Sequence, residues 1–396
     1  MQDLSIYIHI PFCIRKCLYC DFLSMPAGES VREEYVQALC GEIREEAYHY
    51  KEHQVVTVFL GGGTPSLLSG GQLERIMTCV RENYRLLPDA EITMEMNPGT
   101  VTRQNLERYV AAGINRVSIG LQSAKDQELQ TLGRIHTWEE FLTTFRLCRE
   151  VGIRNINVDL MSALPGQTLD SWMETLEKTA ALSPEHISAY SLIIEEGTPF
   201  YERYGEGCTV PEPLPTPEPL ATPEPLPTQA SLPDEETERQ MYEQTKQFLE
   251  KKGYFRYEIS NYAKPGMECA HNCVYWKRGD YVGFGVGAAS MVANVRWTNV
   301  GDIRAYVSLR AEEKKEERQY LSRTEQMEET MFLGLRMTEG VSREQFAHLY
   351  DCDMDEVYEK VIKKHVKNGL LSDGKCLRLT DKGVDISNYV LADFLL

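Results

Sequence analysis

The sequence lacks two features that would place the chain in or across a membrane. No uninterrupted apolar run approaches the roughly 20 residues that a membrane-spanning helix needs. The first residues, Met-Gln-Asp-Leu-Ser, contain neither the basic nor the apolar segment of a secretory signal. We therefore expect a cytoplasmic location. There thiols stay reduced, and the eleven cysteines would be ligands or buried thiols rather than disulfides.

Basic side chains are also in short supply. Lys and Arg number 42 against 60 Asp and Glu, which gives a formal net charge of −18. A chain this acidic repels phosphate backbones, so we expect no nucleic acid partner. The chain has 396 residues, 42% of them hydrophobic, enough for one large domain and one or two smaller ones.

Short β-rich runs alternate with amphipathic helical segments through the first half of the chain. Alternation at this spacing is typical of βαβ units, and six such units indicate an α/β fold with an open, partial (β/α)6 barrel. Functional side chains of such barrels gather at the carboxyl ends of the strands. The predicted strands cover residues 5–10, 55–60, 91–96, 116–120, 155–160 and 186–192.

The second half of the chain departs from this pattern. After the barrel at residues 1–208, residues 209–233 form a near-repeat of Pro-Glu-Pro-Leu-Pro-Thr, which excludes helix and favours polyproline II. We expect a disordered surface insertion there, with a Pro-rich recognition ligand as the alternative. Residues 234–300 would extend the barrel. Residues 301–396 have the helix–helix–helix–strand order of a mostly helical, winged-helix-like domain, whose acidic balance favours docking over DNA binding.

Three cysteines stand in one loop directly after the first predicted strand. Cys13, Cys17 and Cys20 are separated by three and then two residues. Cysteine thiolates are the usual ligands of iron–sulfur clusters, and three ligands for four irons leave one iron open to a small molecule. Structural zinc would need a fourth ligand nearby, for which His9 is the only candidate. The spacing therefore favours a [4Fe–4S] cluster over zinc or over three unrelated buried thiols.

The Cys-x3-Cys-x2-Cys spacing after a first strand resembles the signature of the radical S-adenosylmethionine (radical SAM) superfamily. The resemblance implies a partial barrel with a [4Fe–4S] cluster held by the three cysteines. It also implies that S-adenosyl-L-methionine binds to the open iron, where an electron from the cluster cleaves it to a 5′-deoxyadenosyl radical.

Further polar motifs follow the other predicted strands, as expected for a single functional rim. A turn with three successive glycines, Gly61 to Gly63, follows the second predicted strand. Successive glycines allow the backbone to approach a ligand closely, and the resemblance implies that this turn receives the amino group of the cofactor. Arg134 is suited to neutralise the cofactor carboxylate, and Glu95 to accept hydrogen bonds from its hydroxyls. The full set of candidate cofactor-binding residues at this rim is Tyr7, Tyr19, Phe22, Gly61, Gly62, Gly63, Thr64, Glu95, Gln122, Arg134 and Asp159.

The motifs YIHIPFC, FLGGGTPS, MEMNP, GLQS, LGRIHT and DLMSALPGQ are similar to those of one group within the superfamily. This group contains oxygen-independent coproporphyrinogen III oxidases and the heme chaperones related to them. Three features favour the chaperone type. Phe22 replaces a further cysteine of the oxidase type, only four residues precede the first predicted strand, and residues 271–276 carry the chaperone motif HNxxYW.

The resemblance implies heme as a further ligand. His271 is the candidate axial ligand of its iron, with Tyr275 and Trp276 packed on the macrocycle, while Cys269 and Cys273 are alternative ligands. We expect a protein that hands heme to an apo-hemoprotein, such as a respiratory cytochrome, and that meets a membrane only through this acceptor.

Two alternatives remain, both of them enzymes. One is radical oxidative decarboxylation of coproporphyrinogen III, which Phe22 opposes. The other is radical modification of RNA, which the acidic charge opposes. We expect no coproporphyrinogen oxidase activity and assign no catalytic residue. Productive cleavage of the cofactor and the oligomeric state stay open.

Overall fold

The computed structural model of the chain describes residues 1–205 and 230–396. The predicted Pro-rich insertion, residues 209–233, lies outside the described residues except for its last four. Within the described ranges, no helix combines the length and the apolar character needed to span a bilayer.

A twelve-stranded sheet forms the body of the protein, with six parallel strands in chain order at its centre. These six confirm the predicted partial (β/α)6 barrel. They are β1 (Gln2–Ile10), β2 (His53–Gly62), β3 (Leu86–Met96), β4 (Arg116–Gln122), β5 (Asn155–Ser162) and β6 (His186–Ser191). The remaining strands of the sheet are β7 (Phe255–Arg256), β8 (Asn261–Ala263), β9 (Tyr281–Phe284), β10 (Ala289–Val292), β11 (Val295–Asn299) and β12 (Lys315–Tyr320).

The added strands extend both edges of the six-stranded unit. On one side β9 pairs in parallel with β1 and is followed by antiparallel β10, β11 and β12, while β8 and β7 follow β6 on the other side. The helices of this part of the chain are α1 (Glu29–Glu46), α2 (Gly70–Asn83), α3 (Arg103–Ala111), α4 (Asp126–Thr131), α5 (Trp138–Glu150), α6 (Leu169–Ala181), α7 (Pro199–Tyr204), α8 (Glu235–Lys251), α9 (Ala270–Trp276) and α10 (Ile303–Ser308).

The central strands are buried on both faces, and the two faces differ in chemistry. In β1, Leu4, Ile6 and Ile8 pack in the main core beneath α1. Because side chains alternate along a strand, Ser5 and Tyr7 lie on the opposite face, inside the barrel. Side chains alternate in the same way along the neighbouring strands. The interior of the barrel is therefore largely polar, and the hydrophobic core lies on the other face of the sheet, beneath the helices.

The C-terminal part of the chain forms a smaller unit with a hydrophobic core of its own. Its three-stranded sheet has the order β13–β15–β14 and is covered by helices, as the sequence predicted. The predicted boundary at residue 301 is too early, because β12 adds to the large sheet and Tyr306 of α10 packs in the main core. The elements of this unit are α11 (Arg323–Gly334), β13 (Val341–Ser342), α12 (Arg343–Tyr350), α13 (Met354–Lys367), β14 (Leu371–Ser372), β15 (Cys376–Leu379), α14 (Asp381–Asp385) and α15 (Ser387–Ala392).

One buried carboxylate joins α1 to the extension of the sheet. Glu42 accepts hydrogen bonds from the Tyr306 hydroxyl, from Asn299 Nδ2 at 2.6 Å and from the Gly285 amide at 3.0 Å. Burial raises the pKa of Glu42 above its ordinary value. Three donors from distant segments therefore share one acceptor in the core.

Replacing Glu42→Ala should lower the free energy of unfolding by about 3 kcal/mol, because three buried donors lose their acceptor. Urea denaturation followed by circular dichroism measures the loss. The matched control is Glu34→Ala at an exposed position of the same helix, which should change stability by less than about 0.5 kcal/mol. Equal effects of the two substitutions would contradict the structural role of Glu42.

Candidate functional site

The cysteine loop begins where β1 ends and is held at both of its ends. The Cys13 amide donates to the Met25 carbonyl, and the Met25 amide donates to the Pro11 carbonyl. Further along, the Leu18 amide donates to the Leu132 carbonyl, at 3.1 Å. The loop is thereby fastened over the carboxyl ends of the strands, which is where the barrel rule predicted functional side chains.

A cavity of about 490 Å³ opens beside this loop at the mouth of the barrel. Its volume lies in the range usual for small-molecule sites. The predicted residues that line it are Cys13, Cys17, Cys20, Tyr19, Phe22, Gly62, Gly63, Glu95, Gln122, Arg134 and Asp159. Tyr7, Gly61 and Thr64 are not among the lining residues, although Thr64 contacts Cys13. His271 lies elsewhere, in the barrel interior.

The donor set fits an iron–sulfur cluster better than a single metal ion. The three cysteines are free, partly exposed thiols around one cavity. Within residues 1–205 and 230–396, no three His, Cys, Asp or Glu side chains converge on a point that one metal ion would occupy. Three free thiols that line one cavity are the usual donor set of an iron–sulfur cluster, whose irons are bound by separate cysteines.

The glycine turn after β2 approaches the end of β1 closely. Gly62 has a φ of +106°, and a Cβ at this position would lie 2.4 Å from the ring of His9. Only glycine meets both demands, because other residues rarely adopt this conformation and no space remains for a side chain. The Gly62 amide donates to Glu95 Oε2 at 3.1 Å, which ties the turn to β3.

Arg134 connects the cysteine loop to the glycine turn. Its guanidinium donates to Cys17 Sγ at 3.6 Å, to the Gly120 carbonyl, and to Asn97 Oδ1 at 2.8 Å. Asn97 in turn donates to the hydroxyl of Thr64 at 2.9 Å. Asn97 was not among the predicted site residues, although it lies in the MEMNP motif directly after β3. Its position after a strand was the available signal.

Two acidic side chains on the cavity wall have different surroundings. Asp159 accepts from Ser118 Oγ at 2.8 Å and from Asn157 Nδ2 at 2.7 Å, so both of its oxygens are held. Burial of Glu95, together with the charge of Asp159, raises the pKa of Glu95 to about 8. At neutral pH the Glu95 carboxyl is therefore mostly protonated, and it is suited to donate as well as accept hydrogen bonds.

His271, the predicted axial ligand of heme, lies inside the barrel with both ring nitrogens engaged. Its side chain is 1% exposed, and both ring nitrogens are hydrogen-bonded, Nδ1 to Thr57 Oγ1 at 2.7 Å and Nε2 to the Tyr275 hydroxyl at 2.9 Å. Helix α9 enters the barrel from the amino ends of the strands, and Glu91 of β3 accepts the backbone amide of His271. The HNxxYW segment thus fills the barrel opposite the cysteine loop.

An aromatic layer connects this helix to the cavity. The His271 ring stacks on Phe59 with centroids 5.1 Å apart, and Phe59 fills the space that a side chain at Gly61 would need. Beside it, Tyr7 stacks on Phe59 and donates to His9 Nδ1, while His9 Nε2 donates to the Leu23 carbonyl of the cysteine loop. Tyr7 therefore belongs to the floor beneath the cavity rather than to its wall.

Burial of His271 in its neutral form should make the protein sensitive to acid. Desolvation, with the nearby charge of Arg116, lowers the pKa of His271 to about 3. The unfolded chain takes up a proton at an ordinary pKa of about 6.5, so stability present above pH 6.5 is lost as pH falls toward 3. By pH 5 this one group costs about 2 kcal/mol.

The variant His271→Asn should therefore lose about 2 kcal/mol less stability than the wild type between pH 7 and pH 5. Urea denaturation at the two pH values measures the difference. His348→Asn, at an exposed position of α12, is the matched control and should follow the wild type. If His271→Asn retains the full loss, the ring does not titrate as a buried neutral group.

Known proteins resemble this chain in sequence and in structure. Residues 7–179 match the Radical SAM superfamily, and residues 321–386 match the HemN C-terminal domain. In structure, the whole chain superposes on 90% of coproporphyrinogen III oxidase (HemN) from Escherichia coli, with a TM-score of 0.81. At 23% identity this likeness shows a shared fold.

Three relatives share more of the sequence over nearly their full lengths. Each carries the name heme chaperone HemW. The protein of Bacillus subtilis is 36% identical and that of Lactococcus lactis 34%, covering 99% of this chain in both cases and 99% and 97% of the relatives. The Escherichia coli protein is 35% identical, over the whole of this chain and 99% of its own length. This chain therefore belongs to the HemW family of heme chaperones within the radical SAM superfamily.

Proposed function

We propose that the chain is a cytoplasmic heme chaperone, which binds heme and transfers it to an apo-hemoprotein. The observation that carries this proposal over the oxidase alternative is Phe22 on the rim of the cavity, where the resemblance implies a further cysteine in the oxidase type. The full-length similarity to proteins named heme chaperones supports it. The ten cysteines of the described part are free thiols, in keeping with a reducing compartment.

In this proposal Cys13, Cys17 and Cys20 hold a [4Fe–4S] cluster, and the cavity beside them holds S-adenosyl-L-methionine. When bound, the cluster supplies one-electron chemistry at an iron open to the cofactor. The protein contributes charge and position. Arg134 lies against Cys17 and offsets thiolate charge, while Asp159, with both oxygens engaged, has a fixed orientation toward the cavity.

The remaining rim residues have supporting roles in the proposal. Gly61, Gly62, Gly63 and Thr64 form a turn, and its members that line the cavity, Gly62 and Gly63, present backbone groups to the cofactor. The Gln122 amide oxygen accepts from the Tyr190 hydroxyl at 3.1 Å, which fixes the side chain at the end of β4. Tyr19 lines the same cavity, and Glu95 in its neutral form is suited to exchange hydrogen bonds with cofactor hydroxyls.

We further propose that the acceptor is an apo-hemoprotein such as a respiratory cytochrome, and that any membrane contact is made through it. The analogy with the family supports this step. In such a transfer, the chaperone must hold heme firmly enough to keep it in solution and release it when the acceptor offers a stronger site.

The cluster assignment predicts that Cys17→Ala loses the four-iron cluster, because one of three ligands is gone and the adjacent Arg134 is left without a thiolate. Iron and sulfide analysis after anaerobic reconstitution measures the loss. Cys352→Ala, in the C-terminal unit far from the loop in sequence, is the control and should keep full iron content. A full cluster in Cys17→Ala would contradict the ligand assignment.

The function itself is tested on one anaerobic, reconstituted sample. The wild type should bind hemin with a Soret band, pass it to an apo-cytochrome, and leave coproporphyrinogen III unchanged. Decarboxylation at a catalytic rate would contradict the chaperone proposal and favour the oxidase. The His271→Asn variant should bind hemin with an unchanged Soret band, because the ring nitrogens of His271 in the wild type face Thr57 and Tyr275 rather than a ligand.

A further inference from the structure

Large apolar side chains are exposed at the mouth of the barrel. Phe22 and Ile193 line the cavity and remain 61% and 67% exposed. Ile14, which belongs to the cysteine loop, is 56% exposed, and Ile135, directly after Arg134, is 52% exposed. Single exposed apolar residues are common, but a group of them around one opening marks a surface that contacts something else.

Ile14, Phe22, Ile135 and Ile193 together form what we call the apolar collar. Hydrogen bonds fix the loops that carry it. Arg15 Nη2 donates to the Gly133 carbonyl at 2.7 Å, which brings the segment with Ile14 against the segment with Ile135. Leu192, the neighbour of Ile193, donates its amide to the Ser162 carbonyl at 2.9 Å at the end of β5. Ile14 and Ile135 therefore sit on adjoining segments of the rim, and Ile193 sits on a segment that is fixed at the end of β5.

The charges on the rim indicate what kind of molecule would lie there. Arg15 and Lys16 stand next to Ile14 and are both exposed. Asp21 and Glu195 also line the cavity. The cavity has one more cation, Arg134, which is less exposed and donates to Cys17 and Asn97, so the exposed positive charge lies in the segment of the cysteine loop that precedes Cys17. An apolar surface with one basic side fits a flat apolar ligand that carries anionic groups at one edge.

We propose that the heme carried by this chain lies across the mouth of the barrel. Its macrocycle contacts Phe22 and Ile193, and its two propionates face Arg15 and Lys16. This inference rests on the proposed heme-chaperone function and assigns the heme surface within it. Heme then contacts the apolar collar and not the HNxxYW segment, whose His271 is enclosed at the opposite end of the barrel.

Heme in this position would cover the cavity that holds the proposed cofactor. S-adenosylmethionine would then leave the cavity more slowly while heme is bound, without any change in cluster content. A second candidate surface for heme is a groove of about 790 Å³ between α9 and α12, lined by Trp276, Phe346 and Leu349. The rate at which S-adenosylmethionine is released distinguishes heme at the mouth from heme in this groove. Heme in that groove would leave exchange of the cofactor unaffected.

The test compares Ile193→Asp with Leu349→Asp in the anaerobic, reconstituted full-length protein. The two side chains are matched in exposure, at 67% and 65%. A carboxylate under the macrocycle is costly, so Ile193→Asp should raise the Kd for hemin, read from the Soret band, by at least about tenfold. Leu349→Asp should change it less than about twofold. Both should keep wild-type iron content, and hemin should slow release of labelled S-adenosylmethionine from the wild type.

Several outcomes would overturn the proposal. Weakened binding in Leu349→Asp alone would place heme in the groove. Wild-type hemin binding in Ile193→Asp, together with loss of self-association in sedimentation, would make the collar an interface between copies of the chain. Hemin binding by the wild type with no effect of either variant would place heme on neither surface. If the wild type binds no hemin, the proposed function itself fails.

Discussion

The site depends on the close approach of two strand ends, those of β1 and β2. At Gly63 a Cβ would lie 2.7 Å from the Phe12 carbonyl oxygen, and at Gly62 it would lie 2.4 Å from the ring of His9. The backbone of the glycine turn therefore lies directly against the segment that leads into the cysteine loop. Because the Gly63 amide donates to the Ile10 carbonyl and the Thr64 amide to the Phe12 carbonyl, the loop starts from a fixed position. A side chain larger than hydrogen at either glycine would separate the cysteines from the rest of the rim.

This approach is supported from below by the barrel interior. A cavity at the carboxyl ends of parallel strands needs a floor, and here the floor is aromatic and polar rather than aliphatic. Phe59 lies between the glycine turn and His271, so helix α9 supports the cavity from the far end of the barrel. Since every ring in this layer has a hydrogen-bonding or stacking partner, the layer resists collapse, and the cavity keeps its shape. The physical account of the HNxxYW segment is thus a scaffold beneath the cofactor site.

Local patterns in the sequence were sufficient to predict the barrel and the position of the rim. Runs such as residues 5–10 and 116–120 became strands because apolar and β-branched residues recur there, and Cys17 fell after the first strand because only a loop accommodates that spacing. The surroundings of His271 could not be predicted, because the spacing of an HNxxYW motif does not reveal its hydrogen-bond partner. That partner, Thr57, is 214 residues away, and only the register of β2 brings it to the helix. The domain boundary was missed for the same reason, since pairing of β12 with β11 is a long-range property.

The fold alone does not separate a heme chaperone from a coproporphyrinogen oxidase, since both families share it over nearly the whole chain. What distinguishes them must lie where a porphyrin meets the protein, which makes the rim more informative than the cluster. A carrier and an enzyme place different demands on this rim. An enzyme gains rate from groups that contact the reacting atoms, whereas a carrier must avoid binding so tightly that release becomes slow. An exposed phenylalanine and isoleucine, with two basic side chains at one edge, provide contact area without enclosure. Such a surface suits a ligand that is to be handed on.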